Sequence, residues 1–235
     1  MPPIWISHFL GVFLYFNTNP FLNLIMKKIF TLIAAFLMLA AVNAIAQPSV
    51  GGGFFSSTEI VKSGNTSSES NPMSGFYAGL GYTIPVLDEL SFTPGVYYGI
   101  LFKNSSTSYG PFSINGKRQD HFINVPLHLS YGIDLSSALR FFVYGGPTAS
   151  IAVASKVTNT GSVSNVGSTS KSYDRYEEDS NLQRFDVLLG VGAGIMVNEM
   201  IRFQAGYDFG MLNRYNTNNY ALKRNQFTVG IAFLF

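Results

Sequence analysis

The chain has 235 residues, of which 47% are hydrophobic, 15% aromatic and only 12% charged, with 23 glycines and no cysteine. The absence of thiols excludes a disulfide framework, a cysteine-ligated zinc and a lipoprotein anchor cysteine. A charged share near half the ~25% of a globular domain, with a formal net charge of only +2, gives no electrostatic footprint for nucleic acid.

Residues 1–25 are apolar and contain no Lys, Arg, Asp or Glu. Residues 26–46 carry the three parts of a secretory signal peptide: Lys27 and Lys28 as the basic region, an apolar run from Ile29 to about Ala41, and Ala44-Ile45-Ala46 as the small-residue cleavage site. The apolar run is short for a transmembrane helix and no basic stop-transfer cluster follows it. Because a signal peptide begins with its basic residues, the expected start is Met26, with residues 1–25 as an upstream extension. The expected mature domain is residues 47–235. Loss of Lys27 and Lys28 leaves 13 Lys and Arg against 13 Asp and Glu, a net charge of zero.

From Gln47 onward the chain shows period-two alternation and no long helical pattern, the mark of strands with one apolar face. The first segment, roughly 48–57, is weak and opens on Gly51-Gly52-Gly53. The second, roughly 74–84, places Phe76, Ala78, Leu80, Tyr82 and Ile84 on one face. The third (roughly 90–102) does so with Leu90, Phe92, Val96, Tyr98, Ile100 and Phe102, and the fourth (roughly 120–132) with Ile123, Val125, Leu127, Leu129 and Tyr131. The fifth (roughly 139–153) uses Leu139, Phe141, Val143, Ala149, Ile151 and Val153; the sixth (roughly 184–197) uses Phe185, Val187, Leu189, Val191, Ala193 and Ile195. The seventh (roughly 201–212) uses Ile201, Phe203, Ala205, Tyr207, Phe209 and Met211. Pro94, Pro126 and Pro147 fall inside strands and mark bulges or local breaks.

The eighth segment ends the chain, with Phe227, Val229, Ile231, Phe233 and Phe235 on one face. An uncovered apolar strand invites aggregation in water, whereas a strand closing a barrel in lipid has every backbone group paired. The segment resembles the C-terminal signal of bacterial outer-membrane barrels, which ends in Phe and is read by the assembly machinery.

The opposite faces are polar or small, as in Asn124, His128 and Ser130, or Gly190, Gly192 and Gly194. A narrow eight-stranded barrel is filled by its own side chains, so the glycine-rich polar face belongs inside and the aromatic, almost uncharged face against lipid. Short connections at 86–89, 133–138 and 198–200 alternate with longer ones at roughly 58–73, 103–119, 155–183 and 213–223, the pattern of periplasmic turns and extracellular loops. The expected fold is therefore all-β: an eight-stranded antiparallel transmembrane β-barrel, an up-and-down meander preceded by a signal peptide.

Two paired runs, Phe185–Ile195 with Ile201–Asn213 and Ile123–Tyr131 with Phe141–Pro147, resemble the PorT-like outer-membrane β-barrel family over nearly the whole mature chain. The resemblance implies an eight-stranded barrel in the outer membrane of a Gram-negative bacterium. One branch of that family assists protein secretion, and no motif here places the chain in it.

Strand direction sorts the inward ionisable residues by depth. Arg184, Asp186, Asp208 and Arg224 belong to three consecutive strands and are expected to form a lumenal ion-pair cluster, since a buried charge costs several kcal/mol unless paired. Arg140 and Arg202 are expected at the periplasmic rim. His128 faces the lumen, and His121 faces lipid near the extracellular rim without a persuasive serine and acid partner. Gly190-x-Gly192-x-Gly194 precedes no helix, so it is not a dinucleotide loop, and Glu177-Glu178-Asp179 lacks calcium-loop spacing. The reading is a monomeric barrel, not an enzyme, with no metal and no cofactor. Its expected partners are outer-membrane lipids, the barrel-assembly machinery and an extracellular or secretion-system partner met through the long loops. A narrow pore and a lipid-modifying enzyme acting through His121 are the alternatives.

Overall fold

The computed structural model describes residues 46–64, 66–163, 167–177, 181–215 and 220–235. The chain divides into two compact units, Met1–Ala46 and Gln47–Phe235. The signal peptide and the upstream extension lie outside the described residues, apart from Ala46.

Among the described residues ten strands make one antiparallel sheet: β1 (Gln47–Ser63), β2 (Thr66–Glu69), β3 (Met73–Pro85), β4 (Leu90–Tyr109), β5 (Phe112–Ser136), β6 (Leu139–Val163), β7 (Gly167–Asp174), β8 (Phe185–Val197), β9 (Ile201–Gly210) and β10 (Tyr220–Leu234). Eight of them close a ring in the order β1-β3-β4-β5-β6-β8-β9-β10, with β10 returning to pair with β1. The closing ladder runs from Ser49↔Leu234 to Ser63↔Tyr220. Closure leaves no edge in the ring, which is what a strand-built membrane span requires. β2 and β7 stand outside it, paired to the far ends of β1 and β6.

The alternation sets the faces. Phe76, Leu80, Leu129, Val191, Phe203 and Phe233 are exposed on the outside, while Phe55, Phe122, Asn124, Asp186, Asp208 and Arg224 are buried inside. Interior packing explains the glycines. A Cβ at Gly192 or Gly206 would strike the Tyr144 ring or hydroxyl, and one at Gly230 would strike the Tyr77 hydroxyl. Late-strand glycines thus open the space that early-strand tyrosines fill.

The prolines interrupt the ladders without shifting register: β4 pairs with β5 at Pro94↔Leu127 and resumes at Tyr97↔Asn124, and β5 pairs with β6 at Pro126↔Thr148 and again at Leu129↔Gly145. The register shifts lie elsewhere, at His121/Phe122 and Asp134/Ser136.

The stretches expected as long loops are largely strand. β5 and β6 have 25 residues each, more than twice the ~9–11 that cross a bilayer. Beyond Phe102 the β4–β5 hairpin continues to Tyr109↔Phe112, β5–β6 pairing reaches Phe112↔Val163, and β7 adds a fourth strand through Val163↔Gly167. With water on both sides, a strand needs no apolar alternation; Ser113–Ser162, Thr158–Ser172 and Thr160–Ser170 hydroxyl pairs at 2.7–3.0 Å link its strands instead.

Candidate functional site

The lumen is filled in layers. At the short-turn end Arg140 donates to the Asp88 carbonyl and lies 3.4 Å from the Asp134 carboxylate. Above it Phe142, Met196 and Leu234 form a buried apolar cluster. Arg202 crosses this level, donating to Thr83 Oγ1 at 3.0 Å with its guanidinium 5.2 Å from the Phe142 ring. Mid-barrel there is a small cavity of about 80 Å³, whose lining includes Tyr77, Tyr97, Tyr144, His128, Arg202 and Asp208. His128 stacks on Tyr144 at 5.1 Å.

The predicted cluster divides in the structure. Arg224 Nε is 3.9 Å from Asp186 Oδ2, an electrostatic pair too long for a hydrogen bond, and its Nη2 donates to Ser150 Oγ at 2.7 Å. Its guanidinium lies 4.1 Å above the Phe122 ring. Asp208 sits a level lower, opposite Gln226 in register. Arg184 does not join them. Its Nη atoms donate to the Val153 and Tyr176 carbonyls at 2.7 and 3.0 Å, and it stacks on the Tyr176 ring at 4.8 Å. It is the last residue before β8, so the strand's parity does not bind it.

A second network, which the sequence reading passed over, caps the long-strand end. Arg118 on β5 donates to both Glu59 oxygens at 2.7 and 2.8 Å, and to both Asp120 oxygens at 2.5 and 2.9 Å. Ser155 Oγ donates to Asp120 at 2.6 Å. Arg175, just past β7, donates to Glu59 at 3.1 Å. Arg214, only 1% exposed, lies 3.8 Å from Glu59 and donates to the Tyr176 hydroxyl. Burial alone would raise the Glu59 carboxyl, but Arg118, Arg175 and Arg214 together hold it well below the ordinary carboxylate range. Burial pulls Arg118 down, and Glu59 and Asp120 outweigh it, so the guanidinium stays charged.

Beneath this network Phe55, Leu101, Phe122, Ala152, Leu222 and the incoming Tyr176 and Leu182 form one buried apolar cluster. The connections are pinned there by the Leu182↔Tyr215 bridge and by Gln183 N–H donating to the Arg214 carbonyl at 2.8 Å. Parity carried a signal for part of the network. Glu59 shares the inward parity of Phe55, and Arg118 and Asp120 share that of Phe122. The folding-in of Tyr176 and Leu182 had no such signal.

A closed ring of amphipathic strands with a lipid-facing outside and a filled lumen is a membrane barrel, and the outer membrane protein beta-barrel domain family matches residues 46–216. The chain belongs to that family. No curated protein matches it. Among solved structures it is similar to the attachment invasion locus protein Ail of Yersinia pestis in complex with the heparin analogue sucrose octasulfate (14% identity, TM-score 0.40, covering 81% of this chain and 99% of that one). It is also similar to Neisserial surface protein A (16%, 0.41, 81% and 99%) and to the outer membrane protein OprG of Pseudomonas aeruginosa (10%, 0.37, 81% and 96%).

The C-terminal residues Phe227, Val229, Ile231, Phe233 and Phe235 all face outward, between 37% and 71% exposed. Among the described residues no group of three or more His, Asp or Glu could hold a metal ion. His121 Nδ1 contacts the Tyr98 hydroxyl at 2.5 Å, and His128 Nε2 the Thr148 hydroxyl at 3.3 Å.

Proposed function

We propose that this outer-membrane barrel is non-conducting and works by interaction, through the four-stranded sheet that β4, β5, β6 and β7 raise beyond the lipid-facing belt. The observation that carries this is the Glu59–Arg118 link from β1 across to β5, seated on the buried layer of Phe55, Leu101, Phe122 and Leu222, which fills the lumen at that level. In this reading the short turns are periplasmic and the sheet is outside a Gram-negative cell. Residues 26–46 are removed on export, and the Phe235-terminated strand is the signal taken up by the assembly machinery. The PorT-like resemblance is retained as the family branch, with an extracellular or secretion-system protein as the partner class. Among the described residues His121 and His128 bond to the Tyr98 and Thr148 hydroxyls and neither hydrogen-bonds to a carboxylate, which favours a role other than ester chemistry on lipid.

The test pairs orientation with conductance. An epitope inserted between Gly110 and Pro111 is expected to bind antibody on intact cells. The purified barrel is expected to leave planar bilayers at baseline current. Stable stepwise currents from single insertions would favour the pore instead.

A further inference from the structure

On the outer surface of β4, β5 and β6 the apolar belt gives way to basic groups within a few residues. Tyr98, Ile123 and Ile151 form one outward row, then Ile100, His121 and Ala154, then Phe102, Gln119 and Lys156, then Asn104, Lys117 and Thr158. Successive outward rows are ~7 Å apart, so Lys156 is level with Phe102 and Lys117 stands one row beyond it. A groove of about 330 Å³ opens there, lined by Gln119, His121, Ala154, Lys156, Ser172, Tyr173 and Asp174. The Asp174 carboxylate is taken up by the backbone N–H groups of Ser155 and Tyr176 at 3.3 and 2.9 Å. Lys117 and Lys156 are exposed, and neither has a carboxylate within ion-pair distance among the described residues. His121 Nδ1 is engaged by the Tyr98 hydroxyl at 2.5 Å, so Nε2 is the ring nitrogen left for a ligand.

We propose that this groove is a binding site for the phosphate of a phosphorylated glycolipid in the outer leaflet. Acyl chains would lie along Tyr98, Ile123 and Ile151, the phosphate would be held by Lys156 and His121 Nε2, with Lys117 one row beyond the groove adding positive charge, and sugar hydroxyls would meet Gln119, Ser172 and Tyr173. Adjoining apolar and cationic surfaces, with polar side chains between them, match a lipid whose headgroup is both anionic and hydroxylated. The proposal rests on the orientation given above, with the sheet outside. It does not rest on the closed lumen, so a conducting barrel would leave it standing.

The test uses the whole mature barrel refolded in zwitterionic detergent, with binding followed by calorimetry and folding checked by heat-modifiable migration. Lipid A carrying its phosphates is expected to bind, and the same lipid A stripped of phosphate to bind at least tenfold more weakly. Lys117→Ala and Lys156→Ala are each expected to weaken binding roughly fivefold, the increment of one lysine at an anionic surface, and the double variant more. Lys62→Ala, an exposed lysine on β1, is expected to change nothing. Equal binding by phosphatidylglycerol, equal binding by free inorganic phosphate, an undiminished double variant, or an equal loss in Lys62→Ala would each overturn the site.

Discussion

Glu59 receives hydrogen bonds from Arg118 and Arg175 and lies close to Arg214, so one carboxylate balances guanidiniums brought from three parts of the chain. Removing a buried partner leaves its mates uncompensated, at ~3 kcal/mol or more. Glu59→Gln is therefore expected to lower the temperature at which the folded band converts on a gel, and to speed amide exchange at Tyr176. The pH dependence has a definite sign. The folded-state carboxyl is depressed, so its stabilisation is in full force above the unfolded value near 4.3. It is lost only as pH falls through the lower folded value. Protection of Tyr176 should survive to below the ordinary carboxylate range in the wild type and become insensitive to that range in Glu59→Gln. At Gly206 the limit is space: a branched side chain would meet the Tyr144 hydroxyl and the Val191 carbonyl. Gly206→Val is expected to prevent barrel closure, seen as a band that migrates unfolded without heating.

At the scale of the element, legibility followed solvent. Strands with lipid on one side and a packed lumen on the other were readable from alternation, because only one parity can be apolar there, and the C-terminal strand was the clearest case. The continuation of β4, β5 and β6 past Phe102, Asp120 and Ala154, and the whole of β7, were not readable. Both faces of these stretches meet water, and a Ser, Thr and Asn composition looks the same in a strand and a loop. Parity placed Asp186, Asp208 and Arg224 in the lumen, but only Arg224 and Asp186 come within ion-pair distance, and Arg184, one residue outside its strand, turns elsewhere. The sheet itself makes a testable distinction. Within it β5 and β6 are paired on both sides, whereas β4 beyond Phe102 and the outer side of β7 have free edges. Hydrogen exchange is expected to find 113–119 and 156–162 slower than 103–109 and 167–173; uniform fast exchange would mean that the segments are loops. The three-residue connection 198–200 between β8 and β9 holds Asn198 and Glu199 at positive φ, 51° and 55°, the hand of turn that matches the twist of the flanking strands. Glutamate there is strained, so Glu199→Gly is expected to raise stability by ~1 kcal/mol, measured as a higher conversion temperature.

Across the whole molecule, three barriers lie in series: the Phe142, Met196 and Leu234 cluster with Arg202, the small central cavity, and the apolar layer under the Glu59 network. A cavity of about 80 Å³ holds a few water molecules at ~10–15 Å³ or more each, and it is not a solute path. Series barriers make a specific prediction for conductance. Glu59→Gln loosens the uppermost network, but Phe55, Leu101, Phe122 and Leu222 come from the barrel wall and stay in place, so that variant should still give baseline current. Shortening the wall side chains in Phe55→Ala/Phe122→Ala joins the cavity to the mouth, yet Arg202 and Phe142 still close the other end. Current is therefore expected only when both ends are opened together, as in Phe55→Ala/Phe122→Ala/Arg202→Ala, provided that this variant still migrates as a folded barrel. Large stable currents from Glu59→Gln alone would place the only barrier in the Glu59 network and turn the cap into a gate.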